Sequence, residues 1–263
     1  MRVADYIFNR LYEAGVGHIF MVTGRGALFL ADGVAKHKEI VGISVHHEQA
    51  AAYAAVAYSQ NNDRIGACLV STGCAVTNAV TGVLNAWQDG VPCVFVSGQN
   101  TLAETTRHTG IPLRTFGQQE ADVIPIVESI TKYAVMITDP NKVVYELDKA
   151  IHLSQHGRKG PVWIDVPLDI QNMRIDPEEV EQFLPEAVSS SISTQESLEY
   201  VAKALSDAKR PIILVGNGVR SANALESLDE FIFRYSIPVV YSPSGADVYG
   251  TDNDLSIGSV GIM

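Results

Sequence analysis

The stretch IVGISVHHEQAAAYAAVAYSQ, residues 40–60, decides the fold. Its first part, Ile40–His46, is an apolar run of strand length. Its second part, from Glu48 to Gln60, is an alanine-rich helical pattern. The strand passes straight into the helix, and one carboxylate, Glu48, sits at the junction behind His46 and His47. Further strand-length runs lie at His18–Val22, Ile65–Ser71, Pro92–Ser97 and Val162–Val166. Helical patterns lie between or beside them at 2–14, 26–38, 76–88 and 140–156. Most of the strand runs are continuous Val/Ile/Phe/Cys, as strands buried on both faces of a parallel sheet read. The alternation predicts an α/β fold: a doubly wound, mostly parallel sheet with helices on both faces.

That rhythm covers residues 1–172, the expected first domain. Residues 173–193 break it with two prolines, an acidic cluster and a serine run, and read as a linker. It resumes over 194–263 with a helix at 195–207, a strand at Ile212–Gly216, a helix at 221–235 and a strand at Pro238–Ser242. This stretch is short for a doubly wound domain, so a partial second α/β domain is expected, with the chain ending inside it.

The composition excludes several classes. With 46% hydrophobic and 19% charged residues, the 263-residue chain is of globular type. A net charge of −11 argues against a nucleic acid or an anionic membrane as partner. Cys68, Cys74 and Cys93 are odd in number and form no CxxC, which fits a reduced, cytoplasmic protein. The N-terminal MRVADYIFNRLYEAG is an amphipathic helix with scattered charges, not a signal peptide, and no stretch is long and apolar enough to cross a bilayer.

In open α/β sheets ligands bind beyond the carboxyl ends of the strands. Three strand-to-helix junctions lie at such ends. One is Glu48, where the helix dipole favours an anion and a purely stabilising role is the simpler reading. The second is CLVSTGCAVTNAVTGVLNAW, residues 68–87, with a tight turn at Gly73. The third is IFMVTGRGALF, residues 19–29. Its Gly24-x-Gly26 lacks a third glycine, because position 29 is Phe, so a nicotinamide loop is rejected; GNGVRS at 216–221 fails the same test. Adjacent His46 and His47 point to opposite faces of a strand and are ill placed to chelate one ion. The expectation is one packed histidine, one near the cleft, and no metal site.

Five stretches, in order, carry a resemblance: IFMVTGRG, VHHEQAAAYAAVAYS, STGCAVTNAVTGVLNAWQDGVPCVFVSGQ, GQQEADVIPIVESITKYAV and GRKGPVWIDVPLDIQ. They resemble the thiamine-diphosphate enzymes of the acetolactate synthase, pyruvate oxidase and benzaldehyde lyase group. The likeness is close over residues 1–170 and looser over 195–263. It implies the N-terminal part of a 2-oxo acid decarboxylase or carboligase whose cofactor is thiamine diphosphate. Glu48 then hydrogen-bonds N1′ of the aminopyrimidine and favours the tautomer that takes the proton from thiazolium C2. Gln119 stands beside the reacting carbon. Thr23, Gly24, Cys74 and Asn78 contact or frame the pyrimidine. The resemblance also implies Mg2+ and diphosphate binding through a domain absent from this chain. It leaves FAD open, and it implies a small-molecule 2-oxo acid substrate and a homodimer or homotetramer built through the first domain. This chain alone is then expected to be inactive.

Departures from the family pattern bear on substrate. Cys74 replaces a proline, Thr23 and Arg25 replace Pro and Gly of the first turn, and Gln118 replaces a phenylalanine. Arg25 and Gln118 bring polar groups to the substrate side, so a substrate with a carboxylate, phosphate or sugar hydroxyls is expected. The alternative is a degenerate, non-catalytic homologue that serves as an assembly or regulatory subunit.

Overall fold

The computed structural model describes residues 1–185, 194–250 and 252–261. The chain divides into two compact units, Met1–Pro185 and Glu186–Met263.

The first unit runs α1 (Val3–Glu13), β1 (His18–Met21), α2 (Leu28–Lys36), β2 (Val41–Ser44), α3 (Glu48–Asn62), β3 (Gly66–Val70), α4 (Cys74–Asp89) and β4 (Cys93–Gln99). It continues with α5 (Thr106–Thr109), α6 (Val123–Val127), β5 (Tyr133–Met136), α7 (Val143–Gln155), β6 (Val162–Pro167) and α8 (Leu168–Asn172). The six strands form one sheet in the order β2-β1-β3-β4-β6-β5, parallel throughout. Successive side chains on a strand alternate between faces, and the central strands divide accordingly. Leu69, Val94, Val96 and Ile164 enter a core with α1, α2, α7 and α8. Cys68, Val70, Phe95 and Trp163 enter a second core with α3, α4 and α6. Both faces are covered, as the continuous apolar runs require.

Local chemistry sets the start of α3 and the end of α4. His47 caps α3, its Nδ1 accepting the Gln49 N–H at 3.1 Å. Gly90, at φ +67°, ends α4 in the left-handed conformation that costs glycine nothing.

Three local differences from the sequence reading follow from burial and chain geometry. Strand β5 is not among the strands expected from the sequence, although its YAVM is apolar; it is a four-residue edge strand that fully buries only Met136. The helix expected over 26–38 is a 3-10 turn at Arg25–Ala27 followed by α2. Residues 173–185 pack on the first unit. The Val3 N–H donates to the Met173 carbonyl and the Ile175 N–H to that of Met1, each at 2.9 Å. Phe183 meets Tyr145 edge-on. The rest of the expected linker, 186–193, lies outside the described residues.

In the second unit the described residues form α9 (Gln195–Asp207), β7 (Ile213–Val215), α10 (Gly218–Ser221), α11 (Leu225–Tyr235), β8 (Val239–Tyr241) and β9 (Ser256–Ser259). The three strands pair in parallel in the order β7-β8-β9. The single helix expected over 221–235 is broken where Asn223 turns left-handed at φ 54°.

Candidate functional site

The carboxyl ends of β1, β2, β3 and β4 open on one cleft of about 290 Å³. All eight residues singled out from the sequence line it: Thr23, Gly24, Arg25, Glu48, Cys74, Asn78, Gln118 and Gln119. They come from four separate segments, so it is the strand order that brings them together.

Glu48 is the first residue of α3 and is half-buried. Asn78, one turn into α4, donates its Nδ2–H to Glu48 Oε2 at 2.8 Å. Among the described residues the carboxylate accepts no other hydrogen bond. It is therefore oriented by a neutral amide and a helix N-terminus, with one oxygen available to a ligand. Glu48 and Arg25 are the only charged residues among those lining the cleft.

Arg25, in the turn after β1, donates from Nη1 to Gln118 Oε1 at 2.8 Å. Two of the departures in sequence are thus partners, 93 residues apart. Cys74 is exposed at the start of α4. Gln119 holds φ 56°, a left-handed conformation that costs a non-glycine residue about 1–2 kcal/mol. What holds it there is contact with the turn before α4. Gly73 has φ +66°, and a Cβ on it would lie 1.8 Å from the Gln119 carbonyl oxygen. The turn and the loop touch backbone to backbone.

Glu120 clamps that loop. Buried beneath it, the carboxylate accepts from Thr106 N–H (2.5 Å) and Oγ1 (2.7 Å), and from the Phe116 (2.5 Å) and Gly117 (3.3 Å) N–H groups. Burial works to raise this carboxyl, but those donors outweigh it and hold it below the usual range. Arg107 and Asp122 close the loop's outer side in an ion pair.

The two histidines differ from expectation. Both are exposed. The strand β2 ends at Ser44, so neither lies within it, and His47 is spent on capping α3. Among the described residues no group of three or more His, Cys, Asp or Glu could hold a metal ion.

Sequence reasoning missed the layer under the cleft. Thr72, Gln99 and Asn100 line it from below and are buried, as are Ser97 and Asp165 behind them. The available signal was polar residues inside buried apolar runs, VFVSGQN and VWIDV. A buried polar side chain is costly unless paired, so its presence in a central strand marks a network.

This arrangement can seat a flat heterocycle. The carboxylate can meet a ring nitrogen from one side, the wall around it is uncharged apart from Arg25, and at about 290 Å³ the cleft takes one ring system rather than a large ligand.

Comparison with known proteins bears directly on that. The family model described as "Thiamine pyrophosphate enzyme, N-terminal TPP binding domain" matches residues 1–126. Its companion, "Thiamine pyrophosphate enzyme, central domain", matches residues 198–263. The acetolactate synthase large subunit of Corynebacterium glutamicum is 33% identical over 265 residues, which covers 100% of this chain and 41% of that protein. The acetolactate synthase of Arthrospira platensis is 32% identical over 98% of this chain and 44% of its own length. The large subunit of Lactococcus lactis is 31% identical, with the same coverage. The chain spans less than half the length of these relatives. With both domain models matched in order and the sheet they require in place, the chain belongs to the thiamine pyrophosphate enzyme family and is similar to its acetolactate synthase members.

Proposed function

We propose that the cleft receives the aminopyrimidine of thiamine diphosphate, within an acetolactate synthase-like enzyme that decarboxylates a 2-oxo acid and joins the product to an acceptor. The observation that carries this reading is the Glu48–Asn78 pair, set in a small cleft at the carboxyl edge of the sheet. When bound, thiamine diphosphate supplies an electron sink at thiazolium C2. The chain's own part is proton management. Glu48, with one oxygen pinned by Asn78, holds or shares a proton at the pyrimidine N1′. Thr23, Gly24 and Cys74 frame the ring. Gln119 offers a neutral amide donor to a developing carbonyl oxyanion without itself supplying a proton acid. Mg2+ and the diphosphate are assigned to a part of the protein outside this chain, and the first unit is the assembly surface for a homodimer or homotetramer. This chain alone is then catalytically silent.

Arg25 carries the substrate reading. It is the cleft's one cation, so a substrate or acceptor with a carboxylate or phosphate is favoured over two neutral partners. The reading as a non-catalytic assembly subunit is disfavoured by the oriented Glu48, which that role would not need.

The test is Glu48→Gln in the holoenzyme that contains this chain. Proton exchange at C2 of bound cofactor, followed by NMR, should slow by about two to four orders of magnitude. Exchange at the wild-type rate overturns the assignment.

A further inference from the structure

Beneath the cleft lies a carboxyl group that the proposed chemistry leaves unused. Asp165 is buried in the middle of β6, opposite Ser97 on β4 and Met136 on β5. A hydrophobic residue of similar size would pack at this position, on the Trp163 face of the sheet, without desolvating a charge. Instead the site is built around the acid. Ser97 Oγ donates to Oδ1 at 2.5 Å and Gln99 Nε2 to Oδ2 at 3.2 Å. Ser97 Oγ in turn accepts from Trp163 Nε1 at 2.8 Å.

Gln99 is the hub. Its Nε2 also donates to the Ala121 carbonyl at 3.0 Å. Its Oε1 accepts from Thr72 Oγ1 at 2.6 Å and from the Asn100 N–H at 3.0 Å. Asn100 Nδ2 donates to the Gln118 carbonyl at 3.1 Å. The Gln99 amide therefore ties Asp165 to the turn before α4, to the end of β4 and to Ala121, and the Asn100 side chain, itself in contact with Gln99 Oε1 at 3.4 Å, carries the link on to Gln118.

We propose that Asp165 is a positioning residue for the cleft: as a carboxylate it orients the Gln99 amide, and Gln99 holds the loop that presents Gln118 and Gln119.

The direction of each bond supports this. Gln99 must turn its nitrogen to Asp165 for its oxygen to meet Thr72 and Asn100. A proton on Oδ2 would face that nitrogen, donor against donor. Turning the amide over would then set its NH2 group against two other donors and take its donor from the Ala121 carbonyl. A proton on Oδ1 would face Ser97, whose hydroxyl already accepts from Trp163 and would need a new acceptor of its own. The observed pattern is that of ionised Asp165, and protonation rearranges it.

The rearrangement falls in an accessible range. Burial pushes this carboxyl up to about 7, with the Ser97 and Gln99 hydrogen bonds pulling the other way. Of the charged groups that reach it, Asp122 raises it and Arg107 lowers it, and these two pair with each other. Trp163 on its own strand and Met136 on β5 carry no charge. Because the folded value lies above the unfolded one, the stability this group contributes is present at acid pH and is lost as pH rises through about 7. Loop order runs the other way, and is gained over the same window.

The inference rests on reading the cleft as the cofactor's site, but its test needs no cofactor. The chain has two tryptophans, so two indole N–H signals, and Trp163 is identified by their comparison with Trp87→Phe. In a 15N NMR titration, the Trp163 indole, the Gln99 side-chain amide and the backbone amides of Asn100, Gln118 and Ala121 should shift with one midpoint near 7. Asp165→Asn should abolish that midpoint. It should also lower the hydrogen-exchange protection of Gln118–Ala121 by about tenfold to a hundredfold, the factor for one lost charge-assisted hydrogen bond. Loop signals that stay flat, or that follow a midpoint other than that of Trp163, overturn the proposal; so does wild-type protection in the variant. If the variant does not fold, the wild-type titration decides alone. Failure of the cofactor reading would show in the Glu48→Gln exchange assay and leave this titration unchanged.

Discussion

Arg25 and Glu48 set opposite charges in one small cleft, and each is steered by a side-chain amide. Asn78 turns Glu48 and Gln118 turns Arg25. One Nη1–H of Arg25 is spent on Gln118; its other donors have no partner among the described residues. A guanidinium presents five N–H donors in a fixed fork, which suits a carboxylate or phosphate. In the holoenzyme, Arg25→Ala should weaken an anionic substrate by about tenfold to a hundredfold, the factor for a lost charge-assisted hydrogen bond, and spare a neutral one. Gln118→Ala should move the same ratio less, because it removes only the brace. KM values for matched charged and neutral substrates decide it, and equal losses for both count against the role. At this scale the sequence showed which residues to watch. It did not show that they bond each other. Glu48–Asn78 and Arg25–Gln118 are pairs 30 and 93 residues apart, and their meeting depends on the strand order β2-β1-β3-β4.

The turn between β3 and α4 is where one backbone holds another in shape. Gly73 meets two separate demands: a left-handed φ, and the absence of a Cβ against the Gln119 carbonyl. Gly110 shares the first demand, with φ +66°, but nothing lies within 4 Å of where its Cβ would be. The pair separates conformation from contact. Gly110→Ala should cost about 1–2 kcal/mol, the price of a left-handed alanine. Gly73→Ala should cost clearly more, because the loop must also move, and the Gln119 amide signal should shift only in that variant. Equal losses in urea melts would mean the contact is not tight. The same scale explains what was legible in the chain. Strands covered on both faces, such as β3, β4 and β6, show as continuous apolar runs. β9 went unread because its SIGS is a four-residue edge strand, half exposed, whose pairing rather than composition defines it; β5 is also a four-residue edge strand, but its YAVM is apolar and was legible. The polar layer of Ser97, Gln99 and Asp165 sits inside runs that otherwise read as plain core, and only strand register reveals that the three meet.

The two units differ in how much core they own. Two clusters in the first, one on each face of the sheet, are led by large side chains such as Trp163, Phe8 and Phe95. The described core of the second is Val215, Ile232, Val239, Val248 and Tyr249. Its helix α9 has an apolar stripe, with Leu198 and Val201 each 52% exposed, and buries no residue. Leu214 on β7 is 64% exposed. A core this small rarely supplies more than about 3–5 kcal/mol, and burying so little apolar area leaves little margin against chain entropy. The second unit should therefore unfold first, in a separate transition at lower urea than the first. Amides of Ile232 and Val239 should exchange at least about a hundredfold faster than those of Phe95 and Ile164, the factor for a stability difference of roughly 3 kcal/mol between the units. Hydrogen exchange followed by mass spectrometry reads both units in one experiment. If β4 and β8 lose protection together at one urea concentration, the second unit draws its stability from the first, and the small-core argument fails.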